Sequence, residues 1–192
     1  MVTVDQTEPS AEVLVAKCQA GCRDSFELLV EQYEQRVFSF LCQMVGNIQD
    51  AEDLTQDTFV KVYRNIQSYD SHFKFTTWLF TIAKRTAANH FRAAKNWEPL
   101  PEEPEIVDPE TPCTLLERKD DRDSVWDLAK KLKPDQYEVL WLRYGEGFSV
   151  RETAKIMRTN SIRVRVLLHR ARHQLAKMLT LARAVVPKER PI

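Results

Sequence analysis

Glycine is scarce in this chain, which has four glycines in 192 residues. Glycine-rich loops hold phosphates in many nucleotide-dependent enzymes, and no such loop is present in the sequence. The apolar residues recur instead at spacings of three and four, which is the period of an amphipathic helix. We therefore expect an all-α fold that lacks a phosphate-binding loop.

Long apolar runs, a targeting signal and a cysteine framework are also missing. No apolar stretch approaches the roughly 18 residues that a membrane span requires. No basic residue precedes Lys17, so the N-terminus lacks the positive region of a secretory signal. Cys18, Cys22, Cys42 and Cys113 are too few and too scattered for a disulfide framework. These absences predict a cytoplasmic protein with reduced thiols and no membrane insertion.

The side-chain combinations that carry out catalysis do not stand out either. No Ser-His-Asp, Cys-His or paired-carboxylate arrangement is evident, so we expect no enzyme activity and no cofactor. His169 and His173 have the spacing of a metal pair on a helix, but no third ligand accompanies them, and we expect no metal site there. Cys18 and Cys22 have the same spacing, and they are either structural thiols or sensors of redox or metal.

The charges of the chain sum to zero, but the 28 acidic and 28 basic residues are sorted along it. Residues 148–192 hold eleven Lys and Arg against two acids, and residues 71–95 hold five basic residues and no acid. Because Lys and Arg gain free energy by displacing counterions from phosphates, these blocks predict two polyanion-binding faces. The alternative is that they are ordinary solvated helix faces.

The stretch at residues 96–122 separates two helical parts of the chain. Five of the nine prolines lie in residues 96–118, and six acids lie between Glu98 and Glu110. Proline removes hydrogen-bond donors and like charges repel, so this stretch cannot form a packed core. We expect an extended acidic linker at 96–122, between helical domains at 1–95 and 123–192.

The first domain is expected to contain three long helices. Asp24–Glu27 has the pattern of a capping box that opens the first, and Gly46-Asn47 is expected to end it. A second helix is expected from about Asp50 to Ile66, and a third from about Thr76. The expected buried side of the second helix consists of Ala51, Leu54, Thr58, Val62 and Ile66.

The second domain is expected to carry a helix-turn-helix at about residues 149–178. Ser149–Glu152 has the capping-box pattern of a short helix, Arg158–Asn160 provides a tight polar turn, and a longer basic helix follows. This geometry lays the second helix in the major groove of DNA, where early residues reach base edges and later ones reach phosphates. The candidate DNA-binding residues are Arg158, Ser161, Arg163, Arg165, Val166, His169, Arg170 and Arg172.

Four stretches occur together in a familiar order. The first two are FELLVEQYEQRVFSFL and DAEDLTQDTFVKVYRNI, and the third is FKFTTWLFTIAKRTAANHFR. The fourth is LKPDQYEVLWLRYGEGFSVRETAKIM, followed by VRVLLHRARHQL. Over about residues 10–180 they resemble regions two and four of bacterial RNA polymerase sigma factors of the extracytoplasmic-function group. The second stretch resembles the helix that binds core polymerase, and the third resembles the segment that melts the promoter.

The resemblance implies a bacterial protein that binds core RNA polymerase and promoter DNA and is controlled by an anti-sigma factor. Region two would melt the minus-ten element, region four would recognise the minus-thirty-five element, and the linker would thread the RNA-exit path. The implied core-polymerase contacts are Asp50, Asp53, Gln56, Asp57 and Lys61. Exposed aromatic side chains can stack on bases that are flipped out of the duplex, and basic ones can hold its backbone. The implied melting residues are Phe73, Lys74, Phe75, Thr76, Thr77, Trp78, Lys84, Arg85 and Arg92.

Several interpretations stay open at this point. Trp78 is either a base-stacking residue or part of the core. Arg158 stands in the turn where the family usually has a small residue, and Val166 and Leu167 replace polar residues. The recognition helix therefore either reads a different DNA word, with an apolar contact to a thymine methyl, or meets protein. The other functions considered are a sigma mimic that sequesters an anti-sigma factor, and a repressor or activator with a helix-turn-helix.

Overall fold

The computed structural model of the chain describes residues 9–96 and 121–185. The described residues form helices and connecting turns without a strand, so the expected all-α fold is confirmed for them. They fall into two compact units, each with its own hydrophobic core. The linker expected at 96–122 lies outside the described residues except at its two ends. None of the helices within the described ranges is long and apolar enough to cross a membrane.

The N-terminal unit consists of four α-helices. They are α1 (Ala11–Gln19), α2 (Asp24–Val45), α3 (Ile48–Asn65) and α4 (Phe75–Asn96), and a 3-10 turn, Ile66–Ser68, follows α3. Helix α2 packs against α1 and α3, and α3 packs against α4. The largest side chains that are completely buried in this unit come from α1 to α4; they include Val15, Leu29, Val37, Phe40, Leu41, Val62, Phe75, Leu79 and Phe80.

The boundaries of α2 agree with the sequence at one end only. Gly46 ends the helix with a φ of 73°, a left-handed conformation that glycine adopts without a Cβ clash. Asn47 then caps α3, because its side chain accepts from the backbone N–H of Gln49 at 2.9 Å. The capping box expected at Asp24 is wrong: Arg23 is the N-cap residue, its side chain makes no capping bond, and Asp24 already lies in the first turn.

The apolar side of α3 is the one that the sequence predicts. Ala51, Leu54, Thr58, Val62 and Ile66 are all buried. The hydroxyl of Thr58 donates to the carbonyl oxygen of Leu54 at 2.7 Å, so this polar group is buried with its hydrogen bond made. Its charged side therefore remains at the surface of the unit.

In the described part of the C-terminal unit there are also four α-helices, and the last of them packs against the other three. They are α5 (Asp121–Lys130), α6 (Pro134–Leu140), α7 (Val150–Ile156) and α8 (Ser161–Val185), and a π-helical turn, Trp141–Gly145, extends α6. Pro134 occupies the first position of α6, as expected. Trp126 packs edge-to-face on Trp141, with ring centroids 5.0 Å apart. A Cβ at Gly145 would lie 3.2 Å from the Trp141 ring, so a side chain here would require the ring to move by a few tenths of an ångström.

The helix-turn-helix has the predicted turn and caps, but its second helix continues to Val185 instead of ending near residue 178. Ser149 and Glu152 form both hydrogen bonds of a capping box, and Asn160 Oδ1 accepts from the backbone N–H of Arg163 at 2.8 Å. Val164, Leu168 and Ala171 bury the inner side of α8. The turn itself is strained, because Arg158 has a φ of 51°. A side chain in that left-handed conformation costs roughly 1–2 kcal/mol.

The thiols differ from the sequence expectation at one position. Cys18 and Cys22 are free, as expected. Cys42 is in a disulfide bond, so the expectation of reduced thiols is wrong for this residue. Hydrogen-bond donation by Ser25 lowers the pKa of the exposed Cys22 thiol, whereas burial raises the pKa of Cys18.

Replacing Arg158 by glycine is expected to stabilise the helix-turn-helix. Arg158→Gly removes the left-handed strain but adds unfolded-state entropy, so the net gain is about 0.5–1 kcal/mol. The measurement is hydrogen exchange of the Val164 and Leu168 amides in the full chain, which exchange more slowly in the variant. Arg165→Gly is the matched control: it removes the same charge from a helical position, where glycine costs about 1 kcal/mol. Faster exchange in both variants would show that the turn stores no strain.

Candidate polymerase and nucleic-acid interfaces

The charged face of α3 is the candidate surface for polymerase. Asp53, Gln56 and Asp57 are exposed, and Asp50 is half-buried on the same side of the helix. Asp50 also has a neighbour on α4, because its carboxylate oxygen lies 3.7 Å from Nε2 of His90. Positions three and four residues apart share one face of a helix, so these side chains form one acidic strip.

Lys61 lies at the edge of this strip and turns toward α4. Its Nζ is 3.3 Å from the Asp57 carboxylate and donates to the hydroxyl of Thr86 at 3.2 Å. The ammonium group therefore links α3 to α4. Its side chain also lines a cleft between these helices, of about 430 Å³.

That cleft combines cations with an aromatic edge. Lys61 and Arg85 provide positive charge, and Trp78 and Ile82 provide apolar surface. Amide and hydroxyl groups complete the lining, from Asn65, Ser68, Thr86 and Asn89. This mixture suits a nucleotide, whose phosphate attracts cations and whose base stacks on aromatic surface.

The aromatic residues at the start of α4 have different environments. Phe73 is 47% exposed, whereas Phe75 is completely buried. The Phe75 ring packs against Tyr33 and Trp78, with centroid distances of 5.6 and 6.0 Å. The expectation that Phe75 presents its ring to a flipped base is therefore wrong, because the ring belongs to the core between α2 and α4.

The residues after Phe75 divide in the same way. Thr77 is buried, so its predicted contact with DNA is also wrong, while Thr76 is half-buried. Trp78 is half-buried as well, with its ring 5.3 Å from that of Tyr69. It is both a packing residue and part of the cleft lining, so its packing role is confirmed and its base-stacking role stays a prediction.

The loop that carries Phe73 is held by residues that the sequence analysis missed. Gln19 Nε2 donates to the carbonyl oxygens of Ile66 and Tyr69, at 2.9 and 3.1 Å. The hydroxyl of Tyr69 donates in turn to the carbonyl oxygen of Phe73. Burial raises the pKa of Tyr69, and the nearby Glu12 and Asp70 raise it further, so the hydroxyl keeps its proton. No sequence pattern indicates Gln19, because its partners lie 47 and 50 residues away.

The basic residues predicted to hold the melted strand lie near the exposed Phe73 and along α4. Lys74, Arg85 and Arg92 are exposed, and Lys84 is half-buried. Arg92 Nη1 lies 3.5 Å from the side-chain oxygen of Asn89, one turn earlier on the same helix. Cations at both ends of the helix, without an intervening acid, are the arrangement that a single-stranded backbone requires.

Helix α8 and the turn before it present all but one of the predicted DNA-binding residues to solvent. Arg165, His169, Arg170 and Arg172 are exposed, as is Arg158 in the turn, whereas Ser161 is half-buried. Arg172 Nε donates to the carbonyl oxygen of Leu168 on its own helix at 3.3 Å.

Arg163 has an acidic neighbour on α6, and two apolar residues of α8 are exposed to solvent. Arg163 Nη2 lies 3.9 Å from the Asp135 carboxylate on α6, so an ion pair competes with any contact to a base. Val166 is 42% exposed, and Ile162, which the sequence analysis missed, is 71% exposed. The first two turns of this helix therefore carry an apolar stripe at the surface.

Comparison with known families matches both units of the chain. The family model Sigma-70 region 2 matches residues 29–97, and the model Sigma-70, region 4 matches residues 122–175. The ECF RNA polymerase sigma factor BldN of Streptomyces coelicolor is 34% identical, over 86% of this chain and 64% of its own length. The ECF RNA polymerase sigma-E factor of Haemophilus influenzae is 31% identical, over 85% of this chain and 92% of its own length. RNA polymerase sigma factor YlaC of Bacillus subtilis is 32% identical, over 84% of this chain and 95% of its own length.

Solved structures show the same fold at lower identity. CnrH, solved in complex with the cytosolic domain of CnrY, superposes with a TM-score of 0.64 at 23% identity, over 88% of this chain and 97% of its own. The sigma factor RpoE of Bartonella quintana, solved with the anti-sigma factor NepR, superposes with a TM-score of 0.63 at 21% identity, over 81% and 96%.

Removing the Gln19 amide is expected to loosen the loop that carries Phe73. Gln19→Ala leaves the carbonyls of Ile66 and Tyr69 without this donor, at a cost of about 1–3 kcal/mol for the two bonds. Hydrogen exchange of the amides at residues 71–74 in the full chain is expected to become faster. Gln32→Ala, an exposed position on α2, is the matched control and leaves that exchange unchanged. Equal exchange in the two variants would mean that α1 does not hold the loop.

Proposed function

Because this chain belongs to the extracytoplasmic-function group of the sigma-70 family, we propose that it binds core RNA polymerase and directs it to specific promoters. Sigma factors are transcription initiation factors and not enzymes, and on this proposal the chain contributes binding and DNA opening, while catalysis stays with the polymerase. The exposed Phe73 beside the basic surface of α4 is the observation that carries the proposal. An exposed phenyl ring next to cations can stack on a flipped base while the cations hold the neighbouring phosphates.

The acidic strip on α3 is the proposed contact with core polymerase. Asp53, Gln56 and Asp57 present carboxylate and amide groups to solvent, and a basic partner surface would complement them. Asp50 extends the strip, although its neighbour His90 shares its carboxylate. Lys61 is proposed to position this surface by linking α3 to α4, through its bonds to Asp57 and Thr86.

Minus-ten melting is proposed to use fewer residues than the sequence predicts. Phe73 would stack on an unpaired base, and the cleft beside Trp78 and Arg85 would receive a neighbouring nucleotide. Lys74, Lys84 and Arg92 would hold the backbone of the opened strand. Phe75 and Thr77 would act only by packing beneath this surface, because both are buried.

The recognition helix is proposed to dock on the minus-thirty-five duplex. Arg165 and Val166 lie on its exposed early turns and would reach bases, while Arg170 and Arg172 lie later and would meet phosphates. We also propose that an anti-sigma factor controls the protein. The acidic strip and the Phe73 loop are both exposed, so a protein that covers them would block the polymerase and the promoter together.

Run-off transcription with core enzyme and a promoter library tests the proposed function directly. The full chain is expected to bind core polymerase below micromolar concentration and to start transcripts at a defined sequence. A chain that binds an anti-sigma factor but neither core enzyme nor DNA would be a sigma mimic, and failure to bind core at micromolar concentration would reject the proposal.

Within that assay, Phe73→Ala is expected to reduce open-complex formation about tenfold, since base–aromatic stacking contributes about 1–3 kcal/mol per base. Core binding is expected to stay unchanged, because the acidic strip is intact. Phe91→Ala is the matched control, since Phe91 is 46% exposed near the far end of α4, the helix that follows Phe73. Equal losses in the two variants would contradict the assignment of Phe73. Permanganate footprinting of unpaired thymines measures the opening.

The salt dependence of upstream-duplex binding separates phosphate contacts from other roles of the arginines. Arg170→Ala is expected to weaken binding and to lower the slope of log affinity against log salt by about one unit, because one phosphate contact is lost. Arg163→Ala is the control, since the Arg163 guanidinium faces Asp135. The slope of log affinity against log salt is expected to change less in this variant. An unchanged slope for Arg170→Ala would remove that residue from the interface.

A further inference from the structure

We propose that Ile162 and Val166 form an apolar reading stripe that selects thymine in the upstream promoter element by contacting its 5-methyl group. This inference rests on the proposed function, because it requires α8 to lie in the major groove. It adds the chemical identity of the base and the residues that choose it.

The position of the stripe on α8 supports a role outside the protein core. Successive residues of a helix are turned by about 100°, so Ile162 and Val166 are about 40° apart, and Ile162 is about 160° from Val164. Val164 is fully buried, whereas Ile162 is 71% and Val166 42% exposed. The stripe thus faces away from the core that α8 forms with α6 and α7. Neither side chain contributes to the stability of the unit as Val164 does.

The surroundings of the stripe favour DNA over protein as its partner. Exposed Arg165, His169 and Arg170 surround it, so the apolar area is two side chains wide within a positive surface. Protein-docking patches usually extend over several hundred Å² of contiguous apolar surface, which this stripe does not reach. Cations beside a narrow apolar strip fit a groove in which phosphates lie on both sides of the bases.

The chemistry of the major groove leaves one group for such a strip to contact. Ile and Val have no hydrogen-bonding side-chain atoms, so they cannot read the donor and acceptor pattern of a base. The thymine 5-methyl is the apolar group on the floor of that groove. Arg163, which stands between them in sequence, lies 3.9 Å from the Asp135 carboxylate, but both side chains are more than 60% exposed, so this pair competes only weakly with a base contact. Arg165 remains the candidate for guanine, and the expected word therefore places thymine next to guanine.

Deoxyuridine substitution tests the proposal, since this base lacks only the methyl group of thymine. The full chain with core polymerase first selects its upstream element from a randomised duplex. Each selected thymine is then replaced by deoxyuridine, and the affinity is measured. Loss of one buried methyl group is expected to weaken binding about fourfold at the position that Val166 reads.

Val166→Ala assigns that penalty to a side chain. The variant is expected to bind the thymine duplex about fourfold more weakly and to lose most of the deoxyuridine penalty at one position, because the two changes remove the same contact. Alanine is a good helix former, so the fold of α8 is expected to be kept. Leu181→Ala is the matched control: Leu181 is 67% exposed near the other end of α8, and the penalty is expected to remain fourfold.

The outcomes separate this inference from the proposed function. Sequence-specific binding without any deoxyuridine penalty would overturn the stripe and leave the sigma-factor proposal standing. A penalty that Val166→Ala and Ile162→Ala leave unchanged would overturn the assignment of these residues. Weaker binding of core enzyme by Val166→Ala, with the same affinity for duplex, would identify the stripe as a protein contact. If no duplex sequence is selected at all, the proposed function and this inference both fail.

Discussion

The hydroxyl of Tyr69 donates a hydrogen bond to the carbonyl oxygen of Phe73, and the aromatic surface of the N-terminal unit depends on this bond. The Tyr69 ring is buried against Phe75 and Trp78, so the core fixes the position of the hydroxyl. The bond then fixes the backbone just before α4. Because the backbone is set there, Phe75 enters the core while Phe73, two residues earlier, faces solvent. Gln19 extends the same constraint to α1, a helix that precedes the matched part of region two.

The C-terminal unit also depends on a backbone constraint, which lies in the turn between α7 and α8. Asn160 caps α8, and Arg158 takes a left-handed conformation to turn the chain toward that cap. Glycine would make this turn without strain, so an arginine here costs stability. The cost fits the proposed role in DNA binding, because the residue stands at the surface between α7 and α8, the two helices of the proposed DNA-binding motif. Strain at this position is thus better explained by function than by folding.

How much of this could be predicted from the sequence depends on how local each feature is. The periodicity of α3, the stop at Gly46, the capping box at Ser149 and the cap at Asn160 are set by neighbouring residues, and they were predicted. The sequence did not predict which aromatic residue near the start of α4 is exposed. The burial of Phe75 depends on Tyr33, Tyr69 and Trp78, which come from three elements. The pairing of Arg163 with Asp135 joins residues 28 positions apart, and no spacing rule connects them. Charge and periodicity therefore located the surfaces, whereas tertiary packing selected the residues within them.

In the proposed docking of α8 on DNA, affinity and specificity would be carried by different side chains. Exposed cations such as Arg170 and Arg172 would attract any phosphate backbone, so they would raise affinity for every sequence alike. Discrimination requires groups that meet one base and not another, and Arg163, which would otherwise be one of them, has the Asp135 carboxylate 3.9 Å away as a weak competitor. A methyl contact adds less free energy than a bidentate arginine–guanine pair. Selectivity in the upstream element is therefore expected to depend mainly on Arg165, with Ile162 and Val166 adding the choice of thymine beside it.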